Sequence, residues 1–254
     1  MIGKYMAIFT MASASLIFFG YACTGTGKSA TGGQTTETIT KSYGSGATQL
    51  EISFVAGKAH NHPTFAVWLE NSEGKLIQTI FVTRSLATGY FNYGDAGGGK
   101  WMRQPGKSIR PAALPVWLHQ REGVSDDFVM PTPEQPVTDA FTGATPKASF
   151  NLNVTPEASL PEKFRIMVEV NQPWDWNRSW HNNRFPDNYD YRSSAQPSLI
   201  YAVDIDRKDL MPDYFLNPIG HGHPLGDDGR IYTDISGHTT ALDIFRQIKV
   251  TVRQ

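Results

Sequence analysis

Among the 254 residues there is a single cysteine, Cys23, so no internal disulfide can form. Neither sign of charge dominates, because 23 Lys and Arg residues are balanced by 24 Asp and Glu residues, which argues against a nucleic-acid partner. The chain also lacks a nucleophile elbow, an HExxH sequence and a dinucleotide-binding glycine pattern. The sequence therefore predicts no catalytic residues of its own.

The first 22 residues combine an early lysine, Lys4, with an apolar run and small residues before Cys23. This pattern is typical of a secretory signal, and the segment GYAC resembles a relaxed bacterial lipoprotein box, whose cysteine thiol is lipidated. We therefore expect a lipoprotein signal peptide over 1–22, lipidation of Cys23, and an exported, membrane-anchored protein in the periplasm or at the cell surface. A plain signal peptide and a single membrane-spanning anchor are the two alternatives.

Residues 23–47 are rich in Gly, Ser and Thr, which predicts a flexible tether. Residues 48–254 form one predicted domain, because apolar and polar residues alternate in many short runs with no sustained helical period. This predicts an all-β fold, an antiparallel immunoglobulin-like β-sandwich with long loops. The runs lie at 50–54, 65–69, 76–84, 150–154, 164–170, 198–206 and 248–252.

Two segments between these runs are predicted not to be strands. Residues 86–110 are rich in glycine and are expected to form a long loop. Residues 111–121 are expected to form a short helix that Pro111 opens and Pro115 limits.

The most specific motif is DAFTGAT, residues 139–145, which lies between a proline-rich segment and the next strand. It resembles the site at which bacterial flavin transferases attach FMN to exported redox proteins: Asp, two variable residues, Ser or Thr, Gly, Ala, and Ser or Thr. Carried over by position, the resemblance implies FMN on the hydroxyl of Thr145, with Asp139, Thr142, Gly143 and Ala144 as recognition residues. The alternative is an ordinary turn whose hydroxyls make local hydrogen bonds.

A second resemblance extends over nearly the whole mature chain. The segments TFAVWLENSEGKLIQTIFVTR, RPAALPVW, DAFTGATPK and PSLIYAVDID resemble a family of predicted periplasmic proteins, domain of unknown function 2271. Members of that family tend to occur beside flavin transferases and membrane proteins with a PepSY-type domain. The resemblance implies an extracytosolic flavoprotein in electron transfer, with a flavin transferase and a membrane redox protein as partners.

The aromatic loop NQPWDWNRSWHNNRFPDNYDY, residues 171–191, is a second candidate site. Trp174, Trp176 and Trp180 lie among Asp and Asn residues, a combination that can stack on sugars and equally on an isoalloxazine ring. The alternative is a loop that folds on its own aromatic side chains. If this loop is the functional feature, the protein is instead a cofactor-free surface lipoprotein that binds glycan or peptide.

Two histidine pairs have i, i+2 spacing, His60 with His62 and His221 with His223. In a strand this spacing places both side chains on one face, where two pairs could share one metal ion. Since no Cys or Glu completes either pair, we expect ordinary polar roles for these histidines and no metal site.

Overall fold

The computed structural model describes residues 29–31, 34–42, 48–95, 101–121, 130–138, 140–157 and 159–254. The predicted signal peptide, the predicted lipidation site Cys23, and Asp139 of the DAFTGAT motif lie outside the described residues. Within the described ranges, no helix has the length and apolar character needed to cross a bilayer.

Two β-sheets pack face to face, which confirms the predicted all-β sandwich with long loops. In spatial order, the first sheet contains β1 (Ser29–Thr31), β2 (Gln34–Ser42), β11 (Phe150–Thr155), β3 (Gln49–Ala56), β16 (Phe245–Arg253) and β14 (Tyr214–Phe215). The second contains β10 (Phe141–Gly143), β5 (Leu76–Thr83), β4 (Thr64–Asn71), β12 (Lys163–Asn171), β13 (Leu199–Asp206) and β15 (Asn217–His221).

Most neighbouring strands run antiparallel, but β2 pairs with β11 and β5 pairs with β10 in parallel. Strand β2 lies within residues 23–47, for which the composition predicts a flexible tether. Its sequence QTTETITKS is rich in β-branched Thr and Ile, which favour extended backbone, and Ile39 packs against the core. Residues 34–42 therefore belong to the sandwich, because β-branched residues and a paired neighbour outweigh their polar composition.

A cluster of phenylalanine rings fills the sandwich core next to β10. Phe54 stacks on Phe150 with ring centroids 4.5 Å apart, and Phe65 stacks on Phe81 at 4.8 Å. Further rings pack on these at steeper angles, as aromatic pairs commonly do. The cluster consists of Phe54, Phe65, Phe81, Phe141, Phe150 and Phe245.

Residues 84–121 contain two helices and two short strand pairs, of which one is nested inside the other. They form α1 (Arg84–Ala87), β6 (Tyr90–Phe91) paired with β9 (Gly106–Lys107), β7 (Gly94–Asp95) paired with β8 (Trp101–Met102), and α2 (Pro115–Gln120). The helix expected over 111–121 therefore begins at Pro115, which opens it rather than limiting it. Proline suits this first helical position, where an N–H group would have no acceptor within the helix.

The two helices cover the outer face of the second sheet. The apolar side chains of Leu86 and Trp117 pack there with Trp68 of β4 and Met167 of β12, and all of them are buried. A third helix, α3 (Tyr189–Ser194), follows the tryptophan loop, and a 3-10 helix (Thr240–Asp243) precedes β16.

Candidate functional site

The DAFTGAT motif forms the edge of the second sheet and then leaves it. Phe141 lies opposite Phe81, and Gly143 lies opposite Thr83, in the parallel pair of β10 with β5. A Cβ added at Gly143 would come within 3.1 Å of the Phe81 ring, so a larger residue would crowd this position. Ala144, the next residue, is exposed to solvent.

Thr145 is half-buried, and among the described residues its hydroxyl has one hydrogen-bond partner. Oγ1 donates to the carbonyl oxygen of Pro63 at 3.0 Å, across a sequence separation of 82 residues. This contact differs from the local bond expected of an ordinary Thr/Gly turn. A phosphoester at Oγ1 would remove this hydrogen bond from the fold.

His60 fixes the backbone immediately after Thr145. Its Nε2 lies 2.9 Å from the carbonyl oxygen of Pro146, and because a carbonyl only accepts, Nε2 carries the proton. The ring also packs on Phe245, with centroids 5.4 Å apart. Thr145 is thus held through two contacts, its own hydroxyl on Pro63 and the His60 ring on the following carbonyl.

Arg110 contacts Thr64, the residue that follows the hydrogen-bond partner of Thr145, Pro63. Thr64, which follows Pro63, has its hydroxyl 3.4 Å from Arg110 Nη1, while Nη2 donates to Asn171 Oδ1 at 3.0 Å and to the Ser193 carbonyl at 3.4 Å. Burial lowers the pKa of Arg110 to about 10, and the nearby charge of Asp190 opposes this shift. The guanidinium therefore stays charged at neutral pH beneath this end of the sheet.

The structure separates the three tryptophans of the 171–191 loop. Trp174 is 52% exposed. Trp176 packs edge-on against Tyr191 with centroids 5.9 Å apart, and Trp180 is buried beneath Arg184, whose guanidinium lies 4.4 Å from its ring. Of the three, Trp174 is exposed, Trp176 is partly buried and Trp180 is buried, so the three rings differ in how much surface they offer to a ligand.

The four histidines considered as metal ligands are not brought together. His60 packs on Phe245, whereas His221 stacks on Tyr232 with ring centroids 5.5 Å apart. His62 is exposed in a loop rather than in a strand, so the i, i+2 argument does not apply to it. In the part of the chain that the structure describes, no group of three or more His, Cys, Asp or Glu side chains is arranged to hold a metal ion.

His238, which the sequence reasoning missed, packs near the ring of His221 at 5.1 Å between centroids. Its Nε2 lies 3.2 Å from the carbonyl oxygen of Pro197. Burial lowers the pKa of His238 to about 4 and also lowers that of His221. Both rings are neutral at pH 7 and serve as packing groups beside Trp180.

Glu169 of β12 is a fully buried carboxylate that the sequence reasoning also missed. It accepts hydrogen bonds from the backbone N–H groups of Val116 and Trp117 and from the Ser198 hydroxyl. Burial raises its pKa to about 7, against these hydrogen bonds, which lower it. Since solvent does not reach the group, Glu169 fastens the start of α2 to the sheet and takes no part in a surface site.

Comparisons of the chain with protein-family models, with curated proteins and with solved structures find no match. The structure itself defines the class of the protein as an all-β sandwich with long loops.

Proposed function

We propose that the protein is an exported, lipid-anchored flavoprotein that carries FMN covalently on Thr145 and transfers electrons outside the cytoplasm. The observation that supports this most directly is the setting of Thr145. Its hydroxyl lies beyond the end of an edge strand, beside exposed Ala144, and makes one long-range hydrogen bond instead of a local turn bond. A modifying enzyme can approach a segment at such an edge more easily than one in a central strand.

The residues present fit a flavin linked through a phosphoester. In the attachment step, the Oγ1–phosphorus bond of Thr145 forms as the pyrophosphate bond of a flavin dinucleotide breaks. The nucleoside monophosphate leaves, and the hydroxyl proton passes to solvent. Gly143 and Ala144 keep the segment slim enough to enter a transferase active site. Bound FMN would supply the redox chemistry that the side chains of this chain lack.

The proposed partners follow from the same reasoning. A flavin transferase would attach the cofactor, and a membrane redox protein, of the PepSY type by the resemblance, would exchange electrons with it. Lipidation of Cys23 would hold the domain close to that partner. Residues 34–42 belong to the sandwich, so the tether between Cys23 and the domain is shorter than the sequence predicts.

A cofactor-free surface protein that binds glycan or peptide is the second candidate. The exposed face of Trp174 favours it, because tryptophan faces stack on sugar rings. Trp180 is buried and Trp176 is partly buried against Tyr191, which leaves this candidate with Trp174 as its one fully exposed ring of the three.

Coexpression of the full chain with a flavin transferase tests the proposal. The purified wild type should be yellow, stay yellow after denaturation, and gain the mass of FMN less one water. Thr145→Ala should abolish the gain, whereas Thr132→Ala, a matched control outside the motif, should retain it. A colourless wild type of unchanged mass would contradict the proposal, and binding to glycans that depends on Trp174 would then favour the second candidate.

A further inference from the structure

Large apolar side chains are exposed on and around the nested strand pairs between α1 and α2, and one more is exposed on the tryptophan loop. Such a concentration on a folded domain is typical of a binding surface, since most large apolar side chains are buried by folding. We call this set the aromatic surface: Tyr90, Phe91, Tyr93, Met102, Ile109 and Trp174.

A short series of contacts connects Thr145 with the aromatic surface. The hydroxyl of Thr145 contacts Pro63, and the hydroxyl of the next residue, Thr64, contacts Arg110. The carbonyl of Ser193 receives both Arg110 Nη2 at 3.4 Å and the backbone N–H of Trp174 at 3.1 Å. In this series of contacts, Arg110 is the residue that links the side of Thr145 with the side of Trp174.

The exposed residues of the nested strand pairs are linked to Arg110 through β9. Ile109 directly precedes Arg110, and the N–H of Ser108 donates to the Gly89 carbonyl at 2.7 Å. Tyr90 is then paired with Lys107 in the β6–β9 ladder. The backbone that carries the exposed side chains of Ile109, Tyr90 and Phe91 is thus linked to the segment that leads into Arg110.

Arg110 gives this region an electrostatic preference for an anion. Each of its hydrogen bonds goes to a neutral oxygen, and its buried Nε has no partner among the described residues. Asp190 interacts with it only over a distance longer than an ion pair. A positive charge in a low-dielectric setting attracts a phosphodiester more strongly than the same charge in water does.

From this arrangement we infer that the aromatic surface is the docking site for the isoalloxazine ring of the FMN carried by Thr145. The inference rests on the proposed function and adds to it a place for the reactive ring. Isoalloxazine is planar and aromatic, and it stacks on Trp and Tyr rings as other aromatic groups do. The ribityl phosphate, tethered at Thr145 and attracted by Arg110, would keep the ring within reach of Trp174, Ile109 and Tyr90.

Flavin emission measured on the intact flavinylated protein tests the inference. Stacking on Trp or Tyr quenches flavin fluorescence, and a docked ring is shielded from acrylamide, a neutral quencher. We would compare the wild type with Trp174→Asn, Tyr90→Ala and Phe215→Ala. Asn is used because Trp174 has φ 62, a left-handed conformation that Asn tolerates. Phe215 is the matched control, an aromatic side chain 48% exposed on β14 of the first sheet.

Intact mass, measured on each sample, separates attachment from docking. We expect full attachment in all four proteins, weak emission in the wild type and in Phe215→Ala, and a several-fold rise in emission and acrylamide quenching in Trp174→Asn and Tyr90→Ala. Full attachment with equal emission in all four would overturn the docking site and leave the proposed function intact. Absence of attachment in the wild type would overturn both.

Discussion

Glu169 makes the stability of this sandwich depend on pH, and replacing it with glutamine tests that dependence. Burial raises the pKa of Glu169 from its ordinary value of 4.5 to about 7 in the folded protein. The unfolded chain has the ordinary value, so the folded state holds the proton more tightly. The stability linked to that proton is fully present below pH 4.5 and is lost as the pH rises through about 7.

The magnitude follows from the two pKa values. Their difference, about 7 less 4.5, is about 2.5, which corresponds to about 3 kcal/mol at about 1.36 kcal/mol for each pKa unit. Most of this, about 2–3 kcal/mol, should be lost between about pH 5 and about pH 8. Glu169→Gln removes the titration. The glutamine amide accepts hydrogen bonds from Val116, Trp117 and Ser198 less well than the carboxyl group does. The resulting loss of stability does not vary with pH.

Urea unfolding of the wild type, Glu169→Gln and the exposed control Glu73→Gln across this range is the assay. His221 and His238, whose pKa values are lowered by burial, oppose Glu169 at the acidic end. They are present in all three proteins and cancel when the proteins are compared. The free energy of unfolding of the wild type minus that of Glu169→Gln should fall by about 2–3 kcal/mol from about pH 5 to about pH 8. A difference that does not change with pH would refute the reasoning.

Three further substitutions test the packing and the site. Gly222→Ala should destabilise by about 1–3 kcal/mol, because its Cβ would come within 2.6 Å of Ser198 Oγ; unchanged urea unfolding would contradict this. Phe54→Ala should lower the free energy of unfolding by about 3–5 kcal/mol, and a loss under about 1 kcal/mol would show a loosely packed ring cluster. His60→Ala, which frees the Pro146 carbonyl, should lower the fraction of chains carrying flavin by intact mass; an unchanged fraction would remove His60 from the site.

The sandwich could be predicted from sequence because a strand with one buried face has an apolar residue at every second position. In β12, Phe164, Ile166 and Val168 face the core between the sheets, as the alternation indicates. Strand β2 was harder to predict, since its Thr-rich sequence has the composition of a linker. Its strand character depends on the pairing with β11, a partner more than a hundred residues away.

The candidate site was predictable only in part, for a similar reason. The DAFTGAT motif is local in sequence, so Thr145 could be singled out directly. Arg110 and Glu169 are important because of contacts with residues distant in sequence. Arg110 contacts Thr64 and Ser193, and Glu169 accepts a hydrogen bond from Val116. The exposure of the tryptophans could not be predicted either. The segment 171–191 contains three of them in similar surroundings, and their packing in the folded protein decides which one is exposed.

The central claim is that Thr145 carries FMN, and tandem mass spectrometry of one tryptic peptide tests it most directly. Cleavage after Arg121 and Lys147 releases residues 122–147, which contain four threonines at positions 132, 138, 142 and 145. In protein coexpressed with a flavin transferase, we predict fragments that place the mass of FMN less one water on Thr145. An unmodified peptide, or the same mass on another threonine, would contradict the account.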